Sequence, residues 1–242
     1  MKFVSGITPS ERRLVCALQR AVDSKEDNSL GPASLVDIAI ALDIQDLFPL
    51  CVDMYGAHII VCKDFLPAKV AAPLKNYARA ISGSFSWAEA PCSFLISGGT
   101  VKCGFACHCW TNGCPETVLY KNYYGRVGIR RARTTDDLPL GIKYATGGMG
   151  LCAFYDPAAD GFIGKYVDAL RKTDHTVIGY KNGYFFLCYV PNATARTVNS
   201  FAQDKMKFEY AIMLDGGGPA AINNEEVQIN TNHIQYYIVQ GV

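Results

Sequence analysis

Asp215 is set at the head of three glycines. In "YAIMLDGGGPAAINNE", Tyr210 to Glu225, the apolar run Ala211 to Leu214 reads as the end of a buried strand. Gly216, Gly217 and Gly218 then let the backbone turn with positive φ and come close to another group. A carboxylate leaving a strand end into such a turn is a common way to present an acid to a ligand, and the three amides offer a small nest for an anionic or hydroxyl group. The same residues also suit a tight turn in which Asp215 caps its own backbone. A second chemistry-bearing run is "KCGFACHCWTNGC", where Cys103, Cys107, Cys109 and Cys114 crowd around His108. Structural zinc sites usually pair two C-x₂₋₄-C knuckles across a longer loop, a spacing this compact run matches only loosely. Alternation of Phe105, Cys107 and Cys109 against Ala106, His108 and Trp110 reads equally well as a strand with two faces, and the expectation is no stoichiometric zinc and no cofactor.

Short strands must position these residues. From Gly56 onward, β-rich runs alternate with Gly, Pro and Asn. "AHIIVCKDF" reads as a strand and "PLKNYARA" as a helix leading into "ISGSF". "CSFLISGGTVKCGFACHCW" reads as a hairpin turning at Gly98 and Gly99, and "TVLYKNYYGRVGIRRA" as a second hairpin. "HTVIGYKNGYFFLCYV" is a third, turning at Asn182 and Gly183. "TARTVNSFAQDKMKF" is helical and precedes the strand that ends at Asp215. The predicted class is α+β: a β-rich domain over 56–242 with mixed or antiparallel pairing, and a small N-terminal helical module over 1–50.

That module rests on two amphipathic patterns. Thr8 or Ser10 caps a helix carrying Leu14, Val15, Leu18 and Val22 on one face, "SKEDNSLGP" is a polar turn, and Leu35, Ile38, Ala39 and Leu42 mark a second helix. Leu18 and Gln19, with the turn Leu30, Gly31 and Pro32, resemble the peptidoglycan-binding domain 1 family. The resemblance covers about forty residues and implies a wall-binding helical hairpin.

The 242 residues carry a net charge of +1, with 50% hydrophobic and 19% charged residues. This suits a globular chain and argues against nucleic acid or an acidic membrane as partner. The opening "MKFVSGITPSERR" lacks the apolar core of a signal peptide, and no apolar run is long enough to span a bilayer, so synthesis in a cytoplasm is expected. The ten cysteines are then expected to be reduced, with Cys16, Cys51, Cys62, Cys152 and Cys188 placed in apolar runs that suit burial.

An ordered series of motifs over about 180 residues resembles the phosphodiester glycosidase family, the domain shared with the mammalian enzyme that uncovers mannose 6-phosphate. "AISGSFS" stands where the family has A-I-N-G-G-F-F, "SFLISGGTV" at its strand, glycine turn and strand, and "ATGGMGLCAF" at its glycine-rich stretch. "DHTVIGYKNGYFFLCYV" stands at R-T-A-I-G and the hairpin after it, and "AIMLDGGGPAA" at L-D-G-G-G-S. Ser82 takes the place of the family's asparagine, His175 that of its arginine, and Pro219 that of its serine. Gly83, Phe85, Thr176, Gly179, Asp215, Gly216, Gly217 and Gly218 are kept.

The resemblance implies cleavage between an anomeric carbon and oxygen, through an oxocarbenium-like state beside a carboxylate. Asp215 takes that role, with His175 or Asp174 as proton donor where the leaving group needs one. Ser82, Gly83, Phe85, Thr176 and Gly216 to Gly218 are the expected substrate contacts, with Trp87 and Trp110 as further stacking candidates. Arginine grips phosphate with two parallel bonds whereas histidine offers single donors, so the three departures bear on the substrate. The expected function is a glycosidase acting on a sugar phosphodiester or a cell-wall glycan. A bacterial or phage enzyme fits, released to the wall like a phage lysin or carried in a virion. The alternatives are a catalytically weakened relative that binds a glycan or nucleotide sugar, and a phage structural protein.

Overall fold

The computed structural model describes residues 16, 19–21, 57–69, 77, 79–83, 85–87, 90–105, 115–224, 227–229 and 236–240. In chain order the elements are β1 (His58–Cys62), β2 (Phe65–Lys69), β3 (Ala80–Ser82), β4 (Ser86–Trp87), β5 (Ala90–Pro91), β6 (Leu95–Ser97), β7 (Thr100–Cys103), β8 (Glu116–Asn122) and β9 (Val127–Ala132). There follow β10 (Ile142–Gly150), β11 (Thr173–Lys181), β12 (Tyr184–Ala193), the helix α1 (Ala195–Ser200), β13 (Tyr210–Gly216), β14 (Ile222–Asn223), β15 (Gln228–Ile229) and β16 (Tyr236–Gln240). A large sheet runs in the order β1-β12-β11-β13-β10-β6-β7, with β8 on β10 and β9 on β8, and a smaller one in the order β15-β14-β3-β16-β2.

Every strand pairing among the described residues is antiparallel. The α+β class is therefore corrected to a β class. Past residue 56, the regular helix among the described residues is α1 alone, continued by one π turn at Phe201–Lys205 and joined elsewhere by short 3₁₀ turns. Little helix is needed because the small sheet covers one face of the large sheet. Of the expected N-terminal hairpin, Cys16 and Gln19 to Ala21 are helical, and the rest of 1–50 lies outside the described residues, as does most of "PLKNYARA".

Central strands are apolar on both faces, so they read as continuous hydrophobic runs. Ile178, Ile212, Leu214, Phe185 and Leu187 face the small sheet and meet Phe65, Ile81, Ile222 and Ile238. Their neighbours Val177, Ala211, Met213, Phe186 and Cys188 face the other way and pack with Ala195, Val198 and Phe201. The hairpin β11–β12 turns at Asn182 and Gly183 with φ of 51° and 86°, the left-handed pair a two-residue turn requires.

Cys62, Cys103, Cys152 and Cys188 are unbridged thiols among the described residues. Cys62 and Cys188 are fully buried, and burial pushes the Cys62 thiol up to about 12, so neither suits thiolate chemistry. In the cysteine-rich run, Cys103 ends β7 as a buried thiol and Phe105 makes an isolated bridge to Thr134. Cys107, His108, Cys109, Trp110 and Cys114 lie outside the described residues.

Candidate active site

Two register shifts shape the start of β11. Against β12 the pairing moves between Thr173 and His175, and against β13 between His175 and Val177, opposite Gly216 and Met213. One residue of β11, Thr176, therefore faces two of β13, Leu214 and Asp215. Such bulges re-aim side chains and recur beside active sites. Here they bring together the end of β3, the start of β11 and the end of β13.

Asp215 is half-buried at that junction. Its amide donates to the Gly83 carbonyl at 3.2 Å, and its own carbonyl accepts the Thr176 hydroxyl at 3.0 Å. Its Oδ1 accepts the Gly216 amide at 2.9 Å, which is the capping contact expected of a turn. Gly217 takes φ of 70°, where a side chain is strained, and its amide donates to the Asp174 carbonyl at 2.8 Å. With Gly216 and Gly217 both bound internally and Pro219 lacking an N–H, the turn is a poorer anion nest than its glycine content suggests. Gly218 is exposed.

Ser82 and Thr176 lie beneath, both buried. The Ser82 hydroxyl accepts the Ala221 amide at 3.1 Å and lies 3.3 Å from Thr176 Oγ1, which also reaches the Ser82 carbonyl at 3.1 Å. These hydroxyls join β3, β11 and β13. Gly83 is buried and serves through its carbonyl. Phe85 is 7% exposed, its ring 5.7 Å from that of Phe162 within the core, so it packs and offers no open platform.

The Asp174 carboxylate is turned toward β12. Its Oδ2 accepts the Tyr189 hydroxyl at 2.7 Å and its Oδ1 the Asn192 amide at 2.8 Å. Asn192 is left-handed, with φ of 50°. Burial raises the Tyr189 hydroxyl's pKa, and the bond to Asp174 adds to the effect, so Tyr189 remains a donor. Both Asp174 oxygens are thus engaged in holding the β11–β12 junction.

His175 is 1% exposed. Its Nε2 lies 3.4 Å from the Arg171 carbonyl, while Nδ1 has no partner and faces Gly216, where an added Cβ would stand 2.7 Å from it. Burial lowers the pKa of His175, overcoming the carbonyls of Arg171 and Ala193 and the charge of Asp174, while the Arg171 charge lowers it further. A neutral ring with Nε2–H donating to the Arg171 carbonyl fits these partners. His175 therefore sits under the glycine turn and does not offer a cation to a ligand.

Sequence reasoning passed over Arg171. It is exposed, and a Cβ added to Gly217 would lie 3.0 Å from its Nη2, so its tip comes near the glycine turn. Nothing in the spacing announces it, because a β-strand pattern does not say which loop side chain folds back over a turn. A second overlooked feature is the buried Asp160, which accepts from Thr117 Oγ1 at 2.8 Å, Arg131 Nε at 3.0 Å and the Gly150 amide at 2.8 Å. A third is the buried Glu116, bonded to the Ser93 hydroxyl and the Phe94 amide, over Gly147. An added Cβ at Gly147 would overlap the Glu116 carboxylate, which accounts for one glycine of "ATGGMG" by packing. No group of three or more candidate metal ligands occurs among the described residues.

A cavity of about 460 Å³ lies elsewhere, between the tips of the β6–β7 and β8–β9 hairpins. Ile96, Val101, Tyr123, Leu138, Leu140 and Ile142 line it, and none of the expected site residues does.

No family model matches the chain, and no curated protein sequence matches it. Among solved structures it is similar to the catalytic domain of zebrafish N-acetylglucosamine-1-phosphodiester alpha-N-acetylglucosaminidase, auto-inhibited by its pro-peptide, with 14% identity and a TM-score of 0.57. That match covers 78% of this chain and 80% of the zebrafish one. A hypothetical protein from Synechocystis is similar at 11% identity and a TM-score of 0.53, over 76% of this chain and 58% of that one. What the chain shares with the zebrafish catalytic domain is the fold.

Proposed function

We propose that the protein is a glycosidase that hydrolyses the bond between an anomeric carbon and the oxygen of a phosphodiester. The observation that carries this reading is Asp215, half-buried at the end of β13 with its backbone fixed by Gly83 and Thr176, and followed by a glycine turn whose Gly218 is exposed. Its carboxylate stabilises the oxocarbenium-like state, or attacks C1 to form a glycosyl intermediate that water then hydrolyses. In either case the C1–O bond breaks, the electron pair leaves on the phosphate oxygen, and water supplies the new anomeric hydroxyl. A phosphate leaves as an anion and asks little of a general acid. This suits a site in which Asp174 is engaged by Tyr189 and Asn192, and burial disfavours the charged form of His175. Asp174 and His175 are accordingly assigned to positioning, one at the β11–β12 junction and the other beneath the turn. Support from the fold is the likeness to the zebrafish catalytic domain.

Incubation with UDP-N-acetylglucosamine and with purified cell walls, followed by mass spectrometry of released sugars, tests the reading. Release of N-acetylglucosamine or of a wall sugar is expected from the native protein. Release from neither, with binding retained, would favour a glycan- or nucleotide-sugar-binding module, the reading that the Ser82, His175 and Pro219 departures favour. The wall as the place of action is supported by Leu18, Gln19 and the Leu30 to Pro32 turn, through their likeness to a wall-binding module.

A further inference from the structure

We propose that the cavity between the β6–β7 and β8–β9 hairpins is a binding site for a small organic cation, an amine carried on an apolar stem. The site is separate from the glycosidase reading, since none of the residues placed around Asp215 lines the cavity. Its walls are apolar. Ile96, Leu138 and Ile142 belong to the buried core of this part of the sheet, while Val101, Tyr123 and Leu140 are exposed. With the adjoining Tyr124, these three are four of the eight large apolar side chains exposed among the described residues, so surface hydrophobicity is concentrated here. A concave apolar surface enclosing about 460 Å³ has the size of a small-molecule site.

Among the described residues that line the cavity, the charge is that of Asp136, and no lysine, arginine or histidine stands with it. Asp136 is exposed, and among the described residues it accepts no hydrogen bond and joins no ion pair. Its neighbour Asp137 differs. Asp137 Oδ2 accepts the Arg133 amide at 2.8 Å and the Thr134 amide at 3.2 Å, so one carboxylate builds the turn and the other is left to the cavity. The guanidinium groups of Arg130 and Arg133 act on Asp137, and neither lines the cavity. The walls are tied together without a ligand. The Thr135 amide donates to the Gly104 carbonyl at 3.0 Å, the Gly99 amide to the Lys143 carbonyl at 2.8 Å and the Tyr123 amide to the Gly141 carbonyl at 2.9 Å, which joins the segment 135–143 to both hairpins. The Tyr123 hydroxyl donates to the Gly98 carbonyl at 3.0 Å and holds the ring as a wall between the hairpin tips. A preformed site loses little to ordering. An ammonium group gains from a free carboxylate and from an aromatic face, and its stem takes apolar surface out of water. An anion gains nothing from the carboxylate.

Titration of the isotopically labelled full chain with 2-phenylethylamine and with hexylamine at low ionic strength, followed through backbone amide shifts by two-dimensional NMR, tests this. The anion 3-phenylpropanoate and the neutral 2-phenylethanol are the counterparts. Both amines should bind saturably and move the amides of Gly99, Tyr123 and Gly141 while leaving those of Gly216 and Gly217 in place. Asp136→Asn should bind the amines about fivefold more weakly, the upper range for one exposed charge pair, and should bind 2-phenylethanol like native protein. Leu140→Ser should weaken amines and alcohol alike. Melting temperatures of both variants should stay close to native, since both side chains are exposed. No saturable binding of either amine, equal amine affinity in native protein and Asp136→Asn, shifts confined to the turn after Asp215, or 3-phenylpropanoate binding as tightly as the amines would each overturn the proposal. Sugar release should be the same in Asp136→Asn as in native protein, so failure of the cation site and failure of the glycosidase reading are told apart.

Discussion

His175 enters the fold as a buried ring whose charged form is disfavoured by its surroundings, with Nδ1 unpartnered against Gly216. In the unfolded chain the ring titrates near its ordinary value of about 6.5. Because burial places the folded pKa below that, the unfolded state binds more protons as pH falls through about 6.5. Stability contributed by the neutral ring is complete above that pH and is lost as pH falls toward the folded pKa. Denaturant titrations at pH 7.5 and 5.5 should therefore show a larger loss for native protein than for His175→Gln. Equal losses would mean that the ring titrates in the folded state as it does in water. At this scale Asp215 and the turn were legible, because a carboxylate, three glycines and a preceding apolar run are local signals. Ser82 and Phe85 were expected at the substrate and are found packed inside, since types and spacing do not reveal which way side chains point at the end of a three-residue strand.

The strands around the site are held by polar clamps that no local pattern predicts. Asp160 fastens the loop after β10 to the sheet through Thr117, Arg131 and Gly150, while Arg131 also donates to the Phe154 carbonyl at 2.8 Å. Burial raises the Asp160 pKa against the pull of its three donors, so the ionised group is under desolvation stress even when paired. Removing it leaves Arg131 without its carboxylate. Asp160→Ala is expected to lower stability by roughly 3–5 kcal/mol, the usual cost of breaking a buried pair. Asp160→Asn should cost less, because it keeps the shape and one of the two acceptor oxygens, Oδ1 serving Thr117 and Arg131 and Oδ2 serving Gly150 in the native protein. Urea denaturation of the two variants checks the order, and a neutral effect of Asp160→Ala would refute the clamp. Hairpins were the most readable elements: Asn182 and Gly183 demand one turn type, and the alternation on both sides of them fixes the register. Clamps such as Asp160 with Arg131 join residues 29 apart and leave no trace in a short window.

At the scale of the molecule, the antiparallel β architecture agrees with the strand-and-turn texture after Gly56, and the helical half of the expected α+β class does not hold for the described residues. Amphipathic periodicity identifies a face that must be covered without saying what covers it. Here the second sheet covers one face of the first, through Phe65, Ile81, Ile222 and Ile238. The peptidoglycan reading of 1–50 is checked by a pull-down of the full chain on insoluble peptidoglycan. Retention lost on replacing Gln19 and Leu30 is expected, and a chain that stays wholly in the supernatant removes the reading.

The central claim is that the Asp215 carboxylate breaks a sugar–phosphate bond on this scaffold. Its most direct test is the rate of N-acetylglucosamine release from UDP-N-acetylglucosamine by native protein and by Asp215→Asn, with the melting temperature of each measured alongside. Asn serves the turn almost as well as Asp, so the account predicts a melting temperature close to native. It predicts a rate lower by about 10²-fold or more, roughly 3 kcal/mol in barrier, because the negative charge beside the anomeric carbon is gone. A variant that releases sugar at the native rate, with at most a small drop in melting temperature, would contradict the claim and leave Asp215 as a turn residue.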